Sequence, residues 1–370
     1  MKEKVLVARG ALKKDKKRSR GDAALLAAVV FLACVGTVFI YSASNYSALA
    51  TYGDAFYFVK KQAIGVLLGI AAMVFTAFFD YEKLKKFNIP VAVTSVILLA
   101  LVFVPGIGVE NYGAKRWISL GAFTLQPSEI AKFSLILFSA TYFSNHPDRA
   151  KSFLGILPVL GFGLVLCLLI IAEPNMSITV CVALLLLTML FAAGMRVKHF
   201  VLLIIPALAA GVVLILAAPY RLRRLTAFLS PWSDPKGEGY QLLQSLYALG
   251  SGGWFGTGLF KSRQKYAFLP FAESDFILSV IGEETGFIGL AFFFALIAFI
   301  VFRGIRAASR AKDLFGFMLA LGITMIFGIQ AVINALVVTG SIPPTGLPLP
   351  LVSAGNTSLI VFLFSFGVLY

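Results

Sequence analysis

Charge is scarce in this chain of 370 residues: 13% are Asp, Glu, Lys or Arg and 59% are hydrophobic. Soluble domains carry roughly 25% charged residues, so an ordinary water-soluble enzyme is excluded. Cysteine is nearly absent as well. Cys34, Cys167 and Cys181 lie inside apolar runs without metal-ligand spacing or disulfide logic, and core packing is their expected role. Alternation over about ten residues, the mark of a transmembrane barrel strand, is missing. Nor is there a repeat of roughly 20–50 residues, and no appended soluble domain is visible.

What is abundant is the long apolar run. Such runs recur along the whole chain, each able to cross a hydrocarbon core of roughly 30 Å. They predict an all-α polytopic integral membrane protein of about ten spans: 23–42, 62–79, 90–104, 128–143, 153–172, 176–194, 199–218, 276–302, 314–339 and 351–370. The first run, 23–41, lacks a small-residue cleavage site and reads as a span rather than a signal peptide. Residues 1–22 form a basic cytoplasmic tail, expected to be disordered, and 23–370 a single transmembrane domain.

Positive charge sets the orientation. Nine of the 32 Lys and Arg precede residue 22, in a stretch including Lys13-Lys14-Asp15-Lys16-Lys17-Arg18. A solvated tail touching anionic lipids explains it better than nucleic acid. With that tail inside, the loops 80–89, 144–152, 195–198 and 303–313 are also cytoplasmic, and every one is basic. Both termini then lie in the cytoplasm. The two histidines, His146 and His199, fall on the inner side, which leaves no imidazole for chemistry outside.

Twelve basic residues remain outside. Lys60 and Lys61 read as interface anchors. Lys115, Arg116 and Lys132 belong to a second outer segment. Arg221, Arg223, Arg224, Lys236, Lys261, Arg263 and Lys265 all lie in one large extracytoplasmic loop, 219–275, between spans 7 and 8. Cations gathered on the disfavoured side imply an anion there. The loop ends in Asp275, so phosphate-binding cations stand beside one carboxylate, a combination suited to lipid-phosphate chemistry at the outer surface. Within the loop, 240–249 is too short to span and predicts an interfacial or re-entrant helix. Glycines 250, 252, 253, 256 and 258 follow, for tight turns, close approach or a flexible connection.

Other charges sit at span ends. Glu129 and Lys132, spaced i, i+3 after Pro127, share a helix face. They are either a structural ion pair or a phosphate-binding lysine oriented by a glutamate. Glu283 and Glu284 lie two to three turns past Asp275, one expected to approach the cavity and the other to pack elsewhere. Glu173 occupies a tight outer turn, where a carboxylate is expected to stay hydrated. Asp275 itself, from its position, reads first as a helix cap.

The motifs together resemble the SEDS family (shape, elongation, division and sporulation). They are Tyr41-Ser42-Ala43-Ser44, Gly113-Ala114-Lys115-Arg116-Trp117-Ile118, and Gln126-Pro127-Ser128-Glu129 with Lys132. Pro231-Trp232-Ser233-Asp234-Pro235, Gly239-Tyr240-Gln241, Gln244-Ser245 and Ser262-Arg263-Gln264-Lys265 follow. Asp275-Phe276-Ile277, Glu283-Glu284 and Gly286-Phe287-Ile288-Gly289 complete the set. Their order and spacing run across nearly the whole chain, and the wording is most similar to the FtsW and sporulation branch. Three segments depart from the family pattern. Pro-Glu-Ala-His-Thr-Asp reads Pro270-Phe271-Ala272-Glu273-Ser274-Asp275. Gln-Pro-Asp reads Glu173-Pro174-Asn175, and Ser-Tyr-Gly-Gly-Ser-Ser reads Ser353-Ala354-Gly355-Asn356-Thr357-Ser358.

The resemblance implies a bacterial plasma-membrane glycosyltransferase that polymerises lipid II, an undecaprenyl-pyrophosphate disaccharide-pentapeptide. A class B penicillin-binding protein within a divisome or related wall-synthesis complex would be its partner. Asp275 becomes the expected base. Arg116, Lys132 and Lys265, with Arg223 or Arg224, become expected pyrophosphate contacts, and Glu129, Trp117, Gln264 and Ser262 line the same expected site. No built-in cofactor or protein metal cage is implied; a divalent Mg or Mn ion carried with the pyrophosphate is chemically compatible. The rival readings are a lipid II flippase, which needs access from both leaflets, and a non-catalytic scaffold for the penicillin-binding protein.

Overall fold

The computed structural model describes residues 21–370 apart from 112, 113, 122 and 267, so residues 1–20 of the basic tail and Gly113 lie outside the described residues. The chain is mostly helical, and a helix occupies each of the ten segments expected to span. In chain order these are α1 (Ala23–Tyr52), α2 (Tyr57–Phe78), α3 (Asn88–Leu101), α4 (Pro127–Asn145), α5 (Phe153–Ala172), α6 (Met176–Ala192) and α7 (Val197–Leu216). Two loop helices follow, α8 (Pro219–Leu229) and α9 (Tyr240–Gly252), and then α10 (Ile277–Ser309), α11 (Leu314–Val338) and α12 (Asn356–Val368). Seven helical segments among the described residues are long and apolar enough to cross a membrane; α6 and α12 are shorter apolar helices. This is a multi-pass membrane protein.

α4 and α11 form the centre. Most of α4 is buried, including Glu129 and Lys132, and α11 buries Gln330 and Asn334. α12 lies along α2 through small residues: a Cβ on Gly69 would stand 2.3 Å from Leu363, and one on Gly367 would stand 2.2 Å from the Met73 carbonyl. Without a hydrophobic drive between helices in lipid, such close backbone approach supplies the packing. At the start of α1, Asp22 caps the helix by accepting from the Leu25 amide at 3.0 Å and pairs with Arg303 of α10.

Several boundaries differ from expectation. α1 continues past 42 to Tyr52; at the expected end Ser42 and Ser44 are buried, and Ser42 Oγ donates to Glu284 at 2.5 Å. α12 starts at Asn356, not 351, because the preceding segment holds Pro343, Pro344, Pro348 and Pro350, which cannot supply helix donors. The second outer segment folds into strands that were not expected, β1 (Gly108–Asn111), β2 (Ala114–Leu120) and β3 (Phe123–Leu125), antiparallel in the order 1-2-3. Cys34 corrects the core-packing expectation: it is exposed on the outside of the bundle, whereas Cys181 is buried and Cys167 half-buried. α7 starts at Val197, two residues before the expected 199, so His199 lies in its first turn.

The glycine-rich stretch is a packed connection. α10 breaks at Gly286, whose φ of 67° and ψ of −169° no helix contains. The break releases main-chain groups, and residues 253–258 meet them. Thr257 and Gly258 amides donate to the Glu283 and Glu284 carbonyls at 2.9 and 3.1 Å, while the Phe287 amide donates to the Gly253 carbonyl at 2.8 Å. A Cβ on Gly286 would come within 2.4 Å of the Gly256 amide. The sequence therefore requires glycine there for close approach, and a broken helix is admissible because protein satisfies its backbone.

Candidate active site

Asp275 ends the loop 269–276 one residue before Phe276, the N-cap of α10. Its own chain and two other segments fix it. Ser274 Oγ donates to the Asp275 carboxylate at 3.0 Å. Asn334 of α11 donates to the Asp275 main-chain oxygen at 2.8 Å and, through the same nitrogen, to the Leu347 oxygen at 2.8 Å. The proline-rich segment closes over it: a Cβ on Gly346 would reach within 3.0 Å of the Asp275 carboxylate. Phe276, not Asp275, is the N-cap of α10, which corrects the capping expectation, and the Asp275 carboxylate accepts from the Ser274 hydroxyl instead.

Two cations face it. Arg116 comes from β2 and Arg224 from α8, and both charges act on the Asp275 carboxyl. Burial is the larger influence and pushes that carboxyl up to about 6, opposed by the Ser274 hydrogen bond and the two arginines. Arg116 is itself held by main-chain acceptors: its Nε donates to the Glu173 oxygen at 3.4 Å and its Nη2 to the Pro174 oxygen at 2.5 Å. Tyr220 of α8 lies near enough to influence it. Consecutive helical residues point about 100° apart, and α8 uses this. Arg224 lies near enough for its charge to act on Asp275, while Arg223 pairs with Glu238 at 3.8 Å in an exposed pair.

The other expected contacts gather elsewhere. Lys132 is buried in the bundle, where Nζ meets Glu129 at 2.8 Å and Gln330 at 2.7 Å; Gln330 in turn donates to the Pro348 oxygen at 2.9 Å. That is the ion-pair alternative, extended by a third residue. Ser262, Gln264 and Lys265 build a strap on Glu283 and Glu284. Glu283 accepts from Ser262 Oγ at 2.5 Å, from the Arg263 amide at 2.8 Å and from the Gln264 amide at 3.4 Å. Glu284 accepts from Ser42 and from the Ser262 amide. Both glutamates therefore pack, and neither approaches the Asp275 cavity alone as expected. Lys265, also buried, donates to the Phe260 oxygen at 2.6 Å. Trp117 is half-buried on β2, opposite Val109 in the sheet register.

Glu173 corrects the expectation of a hydrated carboxylate. It is 1% exposed, and neither carboxyl oxygen has a hydrogen-bond partner. Burial pushes it up to about 8 against the pull of Arg116. Asn334 was not singled out from the sequence, since a lone asparagine in an apolar run gives no signal of the two carbonyls it serves. The segments 270–275 and 353–358, which both depart from the family pattern, meet directly. Ser353 Oγ donates to the Ser274 oxygen at 2.6 Å, and the Ala354 amide donates to the Glu273 oxygen at 2.9 Å.

Among the described residues no cluster of three or more His, Cys, Asp or Glu stands ready to hold a metal ion. Near the site a divalent ion would meet the carboxylates of Asp275 and of Glu273, which lies close enough for the Asp275 charge to act on it. Such an ion would take most of its ligands from pyrophosphate and water.

The apolar helical bundle, with one carboxylate and two arginine charges acting on it, defines a multi-pass membrane protein with a polar site. The chain is a member of the FtsW/RodA/SpoVE family of cell cycle proteins, whose family model matches residues 23–370. It is 41% identical over 355 residues to a probable peptidoglycan glycosyltransferase FtsW of Geobacter metallireducens, covering 96% of this chain and 95% of that one. Identity to stage V sporulation protein E of Bacillus subtilis is 40% over 354 residues, covering 95% and 97%. Among solved structures, a chain from a peptidoglycan synthase complex studied for its coordination of polymerization and crosslinking superimposes with a TM-score of 0.78. It is 28% identical, with 95% and 97% coverage. The crystal structure of the Thermus thermophilus rod shape determining protein RodA gives a TM-score of 0.69 at 25% identity, with 95% and 96% coverage.

Proposed function

We propose that this chain is a peptidoglycan glycosyltransferase that polymerises lipid II at the outer face of the bacterial plasma membrane, for septal or sporulation wall synthesis. The basic short loops support an orientation with both termini inside, in which the 219–275 loop, β2 and Asp275 would face outward. The observation that carries the reading is the convergence of Arg116 and Arg224 on Asp275 from separate elements.

In this reaction a sugar hydroxyl attacks the anomeric carbon of a pyrophosphate-linked sugar. The new glycosidic bond forms as the bond to the pyrophosphate breaks, and the hydroxyl proton goes to a base. Asp275, with its carboxyl near 6, is mostly ionised at neutral pH and accepts that proton. A positioned base contributes about 10²–10⁴ in rate. The leaving lipid pyrophosphate gathers negative charge, which Arg116 and Arg224 meet; a guanidinium can grip phosphate with two parallel hydrogen bonds. Lys132 and Lys265, already bonded to protein acceptors, support the bundle and the strap that shape the site. Ser262 and Gln264 belong to that strap through Glu283, and Arg223 pairs with Glu238 away from Asp275.

The partner in this reading is a class B penicillin-binding protein, in keeping with the synthase complex of the solved relative. The test is purified protein with that partner, supplied with lipid II and assayed for glycan polymer and for flipping in liposomes. Polymer formed by the wild type and lost in Asp275→Ala with partner binding intact supports the reading. Flipping without polymer would make the protein a transporter, and neither activity would make it a scaffold.

A further inference from the structure

The turn between α5 and α6 holds a buried acid that the reaction above does not use. Glu173 follows the last residue of α5, with its carboxyl sealed from solvent and both oxygens unpartnered. Its main-chain oxygen and that of Pro174 are the acceptors for Arg116. So the arginine is positioned by this turn through neutral carbonyls, while the carboxyl of the same residue stands beside it and makes no bond to it.

That arrangement is stable in one protonation state only. An ionised carboxylate without a hydrogen bond is costly to bury, and a guanidinium offers five donors, of which two are engaged. Protonated, Glu173 leaves the Arg116 charge uncompensated on its side. Ionised, it would draw the unused donors into a carboxylate–guanidinium pair. The other groups acting on Arg116 are Tyr220 and Arg224 from α8 and Asp275 from the loop before α10. Arg116 is the charge that acts on Glu173.

We propose that Glu173 is a positioning residue that governs whether Arg116 is available to a phosphate: neutral, it leaves the guanidinium facing the site, and ionised, it captures it. The proposal rests on the reading that Arg116 meets the lipid pyrophosphate. Anion affinity should then fall as pH rises through about 8, the range in which Glu173 loses its proton. Asp275 titrates near 6 and is already ionised there.

The experiment uses the full chain in detergent with undecaprenyl pyrophosphate in mixed micelles as the probe. Affinity is measured at pH 7 and pH 9.5 for the wild type and for Glu173→Gln, an uncharged residue of the same shape. The wild type should weaken by about tenfold between the two pH values, the scale of a close charge pair. In Glu173→Gln that weakening should be absent. An alkaline loss of equal size in both proteins overturns the proposal, as does its absence from the wild type. A purely structural Glu173 would shift the melting temperature without changing the pH dependence of binding. Intact lipid II polymerisation with no role for Glu173 sinks this inference alone. Failure of the wild type to bind the probe at pH 7 sinks the pyrophosphate reading and the inference with it.

Discussion

The side-chain amide of Asn334 holds the main chain of Asp275: one nitrogen donates 2.8 Å hydrogen bonds to the oxygens of Asp275 and Leu347. A helix in the centre of the bundle thereby fixes both the acid and the proline-rich segment that covers it. Asn334→Leu keeps the volume and leaves two carbonyls unpaired, at about 1–3 kcal/mol for each buried group. The expected outcome is a lower melting temperature and at least about a tenfold loss of polymerisation, with partner binding retained. Thermal unfolding and a glycan-product gel on one preparation check both.

Lys132 tests the buried network. Lys132→Met leaves Glu129 without its 2.8 Å partner deep in the protein, and breaking a buried pair costs about 3–5 kcal/mol. Adding Glu129→Gln removes the stranded charge, so the double variant should melt well above the single one. Equal melting temperatures would show that the pair does not hold α4 in place.

Glu283 is expected to anchor the strap. Its carboxylate accepts from Ser262 Oγ and from two successive amides, and hydrogen bonds to a charged group contribute about 1.5–3 kcal/mol each. Glu283→Gln places an NH₂ group against those donors. Trypsin should then cut at Lys261, Arg263 or Lys265 faster than in the wild type, with the transmembrane helices still protected.

How much of this was readable in the sequence differs from element to element. The helices were, because apolar runs of span length have one low-energy solution in lipid. The convergence of Arg116 and Arg224 with Asp275 was foreshadowed by charges on the disfavoured side of the membrane. Where a lysine's charge goes was not readable. Lys132 and Lys265 look like phosphate ligands until Gln330 and the Phe260 oxygen are placed beside them. Main-chain acceptors leave no trace in side-chain pattern, which also hid Asn334. Glu173 misled for a related reason: a turn at the end of a helix looks hydrated, and only packing shows that this one is sealed.

Asp275 should cost stability, and the sign follows from burial. Its carboxyl is raised from 3.8 to about 6 on folding, so the folded chain keeps its proton to a higher pH than the unfolded chain does. Stability therefore declines as pH rises from 3.8 to about 6, and the penalty persists above that range. Asp275→Asn should melt a few degrees above the wild type at pH 7.5, and the difference should close near pH 4. Melting curves at the two pH values test this independently of activity.

The most direct measurement is the lipid II polymerisation rate of the purified protein with its penicillin-binding partner, from pH 5 to 7.5, for the wild type and Asp275→Asn. The wild-type rate should rise through about pH 6 as Asp275 ionises. The variant, folded and partner-bound, should be slower by about 10²–10⁴ with no such rise. A variant that polymerises at the wild-type rate, or a wild-type rate flat across that range, would contradict Asp275 as the base.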